Sequence, residues 1–361
     1  MSAAVFAIIA GGGTAGHVTP GVAVARELAG RGHEPSSLHF VGAQRGVEAD
    51  VVPAAGFPLT LLPGRGIKRS LSLSNIGAVA GLLAAIVRAI LLVRRLRPRV
   101  VLATGGFASV PCVLGALVWR VPIVVAEQNA VPGAANRLAS RWARACAVSF
   151  PGTDLPNAVV TGNPVRSEIL GAAALRGRPA PEAATRQVLV FGGSLGALHI
   201  NRTVLDLVGS EPPPARVRHL IGRRDWPELV ETAEALARTA DYEPVEYEHD
   251  MASALVATDL AVCRAGASTV AELAVTGTPS ILIPLPGAPG DHQTANARGL
   301  QEAGAAVVLP DAELEPSTLS EAITGILADD DRLDRMAEAA RGFARPDAAA
   351  RVADLVEEHA T

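Results

Sequence analysis

Aromatic side chains are scarce: Phe, Trp and Tyr together make up 3% of the 361 residues. A core built from large rings is excluded. Ala, Val and Leu must do the packing, which suits parallel sheets covered by Ala-rich helices. Cysteine is also rare. Cys112, Cys146 and Cys263 are scattered, odd in number and form no C-x-x-C pair. This excludes a disulfide framework and fits reduced thiols acting as small core hydrophobes in a cytosolic chain. No His/Cys cluster has zinc spacing, and no G-x-x-x-x-G-K-[ST] loop is present, which argues against ATP hydrolysis. The triplet Asp329-Asp330-Asp331 resembles a metal-binding acid pair, but it lies between two C-terminal helical stretches and reads as a helix terminus with a favourable dipole. No metal and no cofactor are expected. Positive charge is not in excess: the formal net charge of −4 argues against a general nucleic-acid binder. The apolar run at residues 5–10 is too short, and lacks the basic lead, for a secretory signal.

What the chain does have is apolar material, 49% of residues against 19% charged, in a length that suggests two domains at about 100–200 residues each. Short apolar runs at 5–10, 100–103, 123–126, 188–191, 260–263 and 281–285 read as buried strands, with helical periods between them. Such alternation implies parallel sheets with helices on both faces. The organisation repeats, since the runs at 5–10 and 188–191 each lead into a glycine turn and a helix. The expected fold is therefore α/β, with two Rossmann-like doubly wound domains, 1–163 and 164–343, and a cleft between them. The segment 171–185 reads as a loose loop. The terminal stretch 344–361 has a helical apolar period (Val352, Leu355, Val356) and is free to pack back on the first domain.

In open parallel sheets ligands bind at the carboxyl ends of strands, so the loops there are the candidates. Gly11, Gly13 and Gly16 match G-x-G-x-x-G. That pattern alone is weak and would also fit a dinucleotide oxidoreductase, with Glu34 as the ribose acid, although Glu34 lies in a polar loop. The loop Gly192-Gly193-Ser194-Leu195-Gly196-Ala197 suits a pyrophosphate better: glycines admit the ligand, Ser194 offers a hydroxyl, and the helix offers free N–H groups. Either loop could instead be a tight turn with no ligand. A third cluster, Cys263 to Glu272, also opens a helix, and the Glu272 carboxylate could accept from the two hydroxyls of a ribose or be an exposed helix residue. A fourth contains Asp291, His292, Gln293 and Asn296. Amides and imidazole suit sugar hydroxyls, because they donate and accept, and Asp291 could equally serve as an N-cap.

Taken together these segments resemble the MurG family of glycosyltransferases. The motifs that carry the resemblance are Gly12 to Pro20, Gly105 to Pro111, Glu127-Gln128-Asn129, Gly162 to Arg166, Gly192 to Ala197, Cys263 to Glu272 and Asp291 to Asn296. They run nearly end to end, in order. The resemblance implies a GT-B fold and an inverting transfer of N-acetylglucosamine from UDP-N-acetylglucosamine to the C4 hydroxyl of N-acetylmuramic acid in lipid I. The product would be lipid II for peptidoglycan synthesis. It implies that the second domain holds the donor: Ser194 and Gly196 at the diphosphate, Gly266 and Glu272 at the ribose, His292 and Gln293 at the sugar. Arg166 and Asn201 would line the nucleotide side, and Met251 would lie at the uracil. Thr14, Gly16 and Asn129 join this set, Asn129 also being a candidate acceptor contact. His17 and Glu127 compete for the role of general base; an imidazole at a helix N-terminus suits that work near neutral pH, but His17 could also only cap the helix or bind acceptor phosphate. Three positions depart from the family pattern: Ala126 where many members have His, Ala15 for a glycine, and Leu195 for a frequent Gln.

Residues 76–93 are apolar but broken by Arg88, with Gly77 and Gly81 inside, short of the roughly 20 residues that a span needs. The expected role is a peripheral face on the anionic cytoplasmic leaflet, made by Lys68, Arg69, Ile76, Val79 and Leu83 in segment 65–83. Residues 86–93 read as an ordinary domain helix with a basic end. Expected partners are UDP-N-acetylglucosamine, lipid I, the membrane surface and other cell-wall synthesis proteins, with no nucleic acid. A related lipid glycosyltransferase and a non-catalytic sugar-nucleotide-binding scaffold are the alternatives.

Overall fold

A computed structural model describes residues 5–44, 46–64, 74–174, 186–193, 196–210 and 212–361, and of 74–80 the backbone only. The chain divides into two compact units, Met1–Arg166 with Arg345–Thr361, and Ser167–Ala344.

The first unit is built on seven strands: β1 (Ala7–Gly11), β2 (Leu38–Ala43), β3 (Leu59–Leu62), β4 (Val100–Gly105), β5 (Ile123–Glu127), β6 (Ala145–Val148) and β7 (Ala158–Val160). They pair in parallel in the order β3-β2-β1-β4-β5-β6-β7. The central strands are apolar along their whole length because both faces are covered. Successive residues serve opposite layers. Ile8, Val41, Val101 and Val125 pack with Ala85, Ala89 and Cys112, while Ile9, Phe40, Leu102 and Val124 pack with Val22, Leu28 and Val352.

That second layer contains the helix Ala348–Glu358, which buries Val352, Leu355 and Val356 in the first unit. Arg31 fastens it, donating to Asp354 at 2.7 Å and Glu357 at 2.6 Å, while His33 Nε2 meets Glu357 at 2.8 Å and its ring stacks on Phe6.

The second unit has six parallel strands: β8 (Gln187–Phe191), β9 (Arg216–Leu220), β10 (Tyr242–Val245), β11 (Leu260–Cys263), β12 (Ser280–Leu282) and β13 (Ala306–Val308), in the order β10-β9-β8-β11-β12-β13. In both sheets the strand order reverses beside the first strand, between β1 and β4 and between β8 and β11. The loops diverge there and leave a crevice at the strand ends.

Two sequence expectations are corrected. The strand expected at 281–285 ends at Leu282, because the carbonyls of Ile283 and Pro284 are drawn to the Arg264 guanidinium and Pro284 has no N–H for the ladder. The loop expected from residue 171 begins later, since the helix Ser167–Ala173 buries Ile169; residues 175–185 lie outside the described residues.

Candidate active site

At the β1/β4 reversal, Gly12 and Gly13 turn the chain into the helix Ala15–Gly30. Thr14 stands at the N-cap with extended backbone, yet its side chain does not cap the helix. Its Oγ1 lies 3.2 Å from His17 Nδ1. The far edge of the imidazole lies against the end of β4, where a Cβ on Gly105 would stand 3.0 Å from His17 Cδ2 and 3.1 Å from Nε2. Glycine at φ +100° is what admits the ring. Ser109 Oγ ties the two strand ends, accepting from the Gly105 N–H at 2.9 Å and lying 2.7 Å from the Ala10 carbonyl.

Glu127, at the end of β5, is 3% exposed. Its Oε1 accepts from the Asn129 backbone at 2.9 Å and side chain at 3.2 Å, and its Oε2 from Gly133 N at 3.0 Å and Asn136 Nδ2 at 2.9 Å. Asn136 also donates to the Ala126 carbonyl at 3.0 Å and lies beside Gly105. Its Oδ1 and the Oε1 of Gln128 are buried and have no protein donor. Asn136 was not singled out from sequence, since nothing in its spacing from Glu127 signals the contact. Ala126, at the position of the family His, is buried in the core.

At the β8/β11 reversal, Gly196 takes φ +92°, and a Cβ there would stand 2.4 Å from the Ile221 carbonyl and 2.6 Å from Asp225 Oδ2. Asn201 lies beneath this loop and is fully buried. Its Nδ2 donates to Ile221 O at 2.8 Å and Asp225 at 3.0 Å. Its Oδ1 must then accept from His219 Nε2 at 3.0 Å, and His219 Nδ1 accepts from the Tyr242 hydroxyl at 2.9 Å. Burial lowers the His219 pKa to about 3, so the ring is neutral. Asn201 thus supports the loop from inside and does not line a surface.

The loops after β11 and β12 are stitched by Gln293, whose Oε1 accepts from Ala265 N at 3.1 Å and Leu285 N at 3.0 Å. Asn296 holds the other side of the Ala265 peptide at 3.2 Å. Gly266 is the N-cap of the helix Ala267–Thr276, which carries half-buried Glu272 in its second turn. His292 donates from Nδ1 to the Pro289 carbonyl at 2.9 Å, leaving Nε2 as the acceptor in the neutral ring. Arg264, nearly buried, bonds the carbonyls after β12 and pairs with Asp311 after β13. Gly193, Gly196, Gly266, Glu272, His292 and Gln293 therefore all sit on the strand-end side of one sheet. Met251 opens the helix after β10, and Arg166 ends the first unit half-buried. Ser194, Leu195, Lys68 and Arg69 lie outside the described residues, as do the side chains of Ile76 and Val79.

Among the described residues no group of three His, Cys, Asp or Glu could hold a metal ion. Asp329 caps the helix Asp330–Phe343, accepting from Arg332 N at 2.9 Å.

On the helix Ser74–Leu96 the core face and the outward face are divided by packing. Val93 is buried, Ile86 and Ile90 are half-buried, and the outward stripe is Leu83, Val87 and Leu91, each more than half exposed. The cause is Gly115 of the neighbouring helix, where a Cβ would stand 3.1 Å from the Ala89 carbonyl. That close approach makes Ala85 and Ala89 the core face and turns Val87 and Leu91 outward. Val118 and Trp119 extend the exposed apolar surface, and Arg94 lies over the Trp119 ring at 5.2 Å. Arg88, Arg95 and Arg120 are exposed.

Comparison with known proteins places this geometry. Residues 7–148 match the glycosyltransferase family 28 N-terminal domain and residues 187–352 its C-terminal domain. The chain is 44% identical over 357 residues to the UDP-N-acetylglucosamine--N-acetylmuramyl-(pentapeptide) pyrophosphoryl-undecaprenol N-acetylglucosamine transferase of Alkalilimnicola ehrlichii, covering 98% of each chain. It is 43% identical over 358 residues to the protein of the same name in Methylococcus capsulatus, again covering 98% of each. The crystal structure of Acinetobacter baumannii MurG superposes with a TM-score of 0.77 at 29% identity, over 98% of this chain and 99% of that one. The fold is GT-B-like, and the chain belongs to glycosyltransferase family 28 and, within it, to the MurG family.

Proposed function

We propose that the chain is a hexosyltransferase that moves N-acetylglucosamine from UDP-N-acetylglucosamine to the C4 hydroxyl of the N-acetylmuramyl group of pyrophosphoryl-undecaprenol-linked pentapeptide, with inversion. The observation that carries this reading is the Gln293 bridge. Its oxygen is used by two backbone N–H groups, which leaves the Nε2 hydrogens as its donors for a ligand, beside a His292 whose Nε2 accepts in the neutral ring. A donor amide next to an acceptor imidazole, both fixed by the backbone, suits vicinal sugar hydroxyls. Glu272 takes the ribose, and the N–H groups at the start of helix Ala267–Thr276 and of the helix after Gly196 stabilise the departing diphosphate.

His17 is the better base of the two candidates. The four donors on the Glu127 carboxylate already fill it, so protonating it would break the Asn129–Gly133 turn. His17 has one nitrogen beside the Thr14 hydroxyl and its other edge against Gly105 at the end of β4. In the reaction His17 takes the proton of the attacking hydroxyl as the C1–O bond to UDP breaks and the new C1–O bond forms. Glu127 and Asn136 hold the acceptor loop.

The exposed stripe Leu83, Val87 and Leu91 with Val118 and Trp119, rimmed by arginines, supports a peripheral seat on the anionic cytoplasmic leaflet. Among the described residues no helix is long and apolar enough to cross a membrane. The test is UDP release from UDP-N-acetylglucosamine with and without a lipid I analogue. Acceptor-dependent release with a β-linked disaccharide is the expected result. Donor binding without acceptor-dependent release would overturn the acceptor assignment.

A further inference from the structure

A glycine turn that opens a helix ordinarily offers its N–H groups to a phosphate. In the first unit that position is already filled from within. Glu48, at the start of the helix Glu48–Ala54, sends its carboxylate under the turn between β1 and the helix Ala15–Gly30. The Gly13 N–H lies 3.1 Å from both carboxylate oxygens, and the Ala43 N–H at the end of β2 donates to Oε1 at 2.6 Å. The side chain is 1% exposed. Three glycines make its room: a Cβ would stand 2.1 Å from Glu48 Oε1 at Gly12, 2.4 Å from its Cγ at Gly42, and 1.9 Å from Oε2 at Gly46. These glycines are shaped around a carboxylate of this chain, not around a ligand. Its hydrogen-bond partners among the described residues are backbone N–H groups. Burying a carboxyl group costs more than burying an apolar side chain that would fill the same space, so its two acceptor oxygens have a use at this turn. His17, Glu48 and Thr104 line one narrow cavity with Phe40 and Val41.

The geometry points to Glu48 as a positioning residue for the transfer: an internal carboxyl group that occupies the phosphate position of the first glycine turn and locks Thr14 and His17 in the orientation that proton transfer requires. Two effects follow from one group. The Gly13 N–H is withdrawn from ligands, so nucleotide diphosphate is directed to the second unit. The Gly12-Gly13-Thr14 backbone is set before the acceptor arrives, so the base is aimed without reorganisation.

The inference rests on the transferase reading and on His17 as base. Its test is steady-state kinetics of the full chain with a lipid I analogue, comparing wild type with Glu48→Gln and Glu48→Ala. Glu48→Gln keeps the shape and the Oε1 contacts to Ala43 N–H and Gly13 N–H, but replaces Oε2, the second acceptor of the Gly13 N–H, by an amide donor that opposes it. We expect kcat to fall about 10- to 100-fold, the scale of a misplaced reacting group. KM for UDP-N-acetylglucosamine should stay within about twofold, because donor binding lies in the other unit. Formate, an anion small enough for the vacated cavity, should restore part of the kcat of Glu48→Ala and none of that of His17→Ala. Wild-type kcat in Glu48→Gln would overturn the inference, as would a loss that matches the fraction of protein unfolded by calorimetry. An inactive wild type would instead bring down the transferase reading itself, and this inference with it.

Discussion

The imidazole of His17 has a hydroxyl oxygen 3.2 Å from one nitrogen and the glycine edge of β4 against the other side. Removing it in His17→Ala should cut kcat by about 10²- to 10⁴-fold, the usual worth of a positioned general base, with KM for the donor nearly unchanged. Turnover close to wild type in that variant, measured by UDP release, would move the role to Glu127. His219 offers a second measurement, on stability. Its pKa in the fold is about 3, against 6.5 for an ordinary histidine. Between those values the unfolded chain binds a proton that the folded chain refuses. Stability therefore rises with pH across this window and is lost as pH falls from about 6.5, by about 1.4 kcal/mol per pH unit. Denaturant titrations at pH 7, 6 and 5 should show that His219→Gln flattens this slope by one proton's worth; parallel slopes for the two proteins would refute the account. The buried thiols behave similarly. Burial raises the Cys146 pKa to about 11 and that of Cys112 to about 12, so both stay as unreactive thiols at neutral pH.

Among the elements, helix Ser74–Leu96 shows where packing overrides pattern. Ile86 and Ile90 are larger and more apolar than their alanine neighbours, yet they are only half-buried. The alanines at 85 and 89 carry little hydropathy, yet they take the core because Gly115 lets the two helices approach closely. Replacing Leu83, Val87 and Leu91 together by serine should weaken binding to anionic vesicles in a sedimentation assay. Stability should change by only about 0.5 kcal/mol per site, as at other exposed positions. Unchanged vesicle binding would show that the membrane seat lies elsewhere. The strands divide the same way. β1, β4, β5, β8 and β11 were legible as unbroken apolar runs because they are covered on both faces. The edge strands β3 and β7 are short and partly exposed, so their residues carry no such signal. The loops at the strand ends of the second sheet were legible from glycines and helix starts. Glu48 was not, because its contacts depend on β2 lying beside β1, and Gly13 is 35 residues away in sequence. Asn201 was expected on the nucleotide side, but its place as an internal support depends on the loop after β9 and could not be read from the motif.

Across the whole molecule, the first unit is closed by a segment that follows the second. Deleting 345–361 removes Val352, Leu355 and Val356 from its core and leaves Arg31 and His33 without Asp354 and Glu357. Each large apolar side chain lost from a core costs about 2–5 kcal/mol. The truncated chain should therefore lose or sharply lower the unfolding transition of the first unit in calorimetry and keep that of the second, whose core shares no residue with the deleted segment. A single unchanged transition would contradict this. The same connectivity sets a schedule during synthesis. Strands β1 to β7 leave the ribosome first, but the layer over Phe40, Leu102 and Val124 stays open until residues 345–361 have been made. The second unit, begun later, is complete earlier. The last helix to emerge thus decides when the first unit becomes a finished domain, and a chain stalled just before it would carry a completed second unit and an unsealed first one.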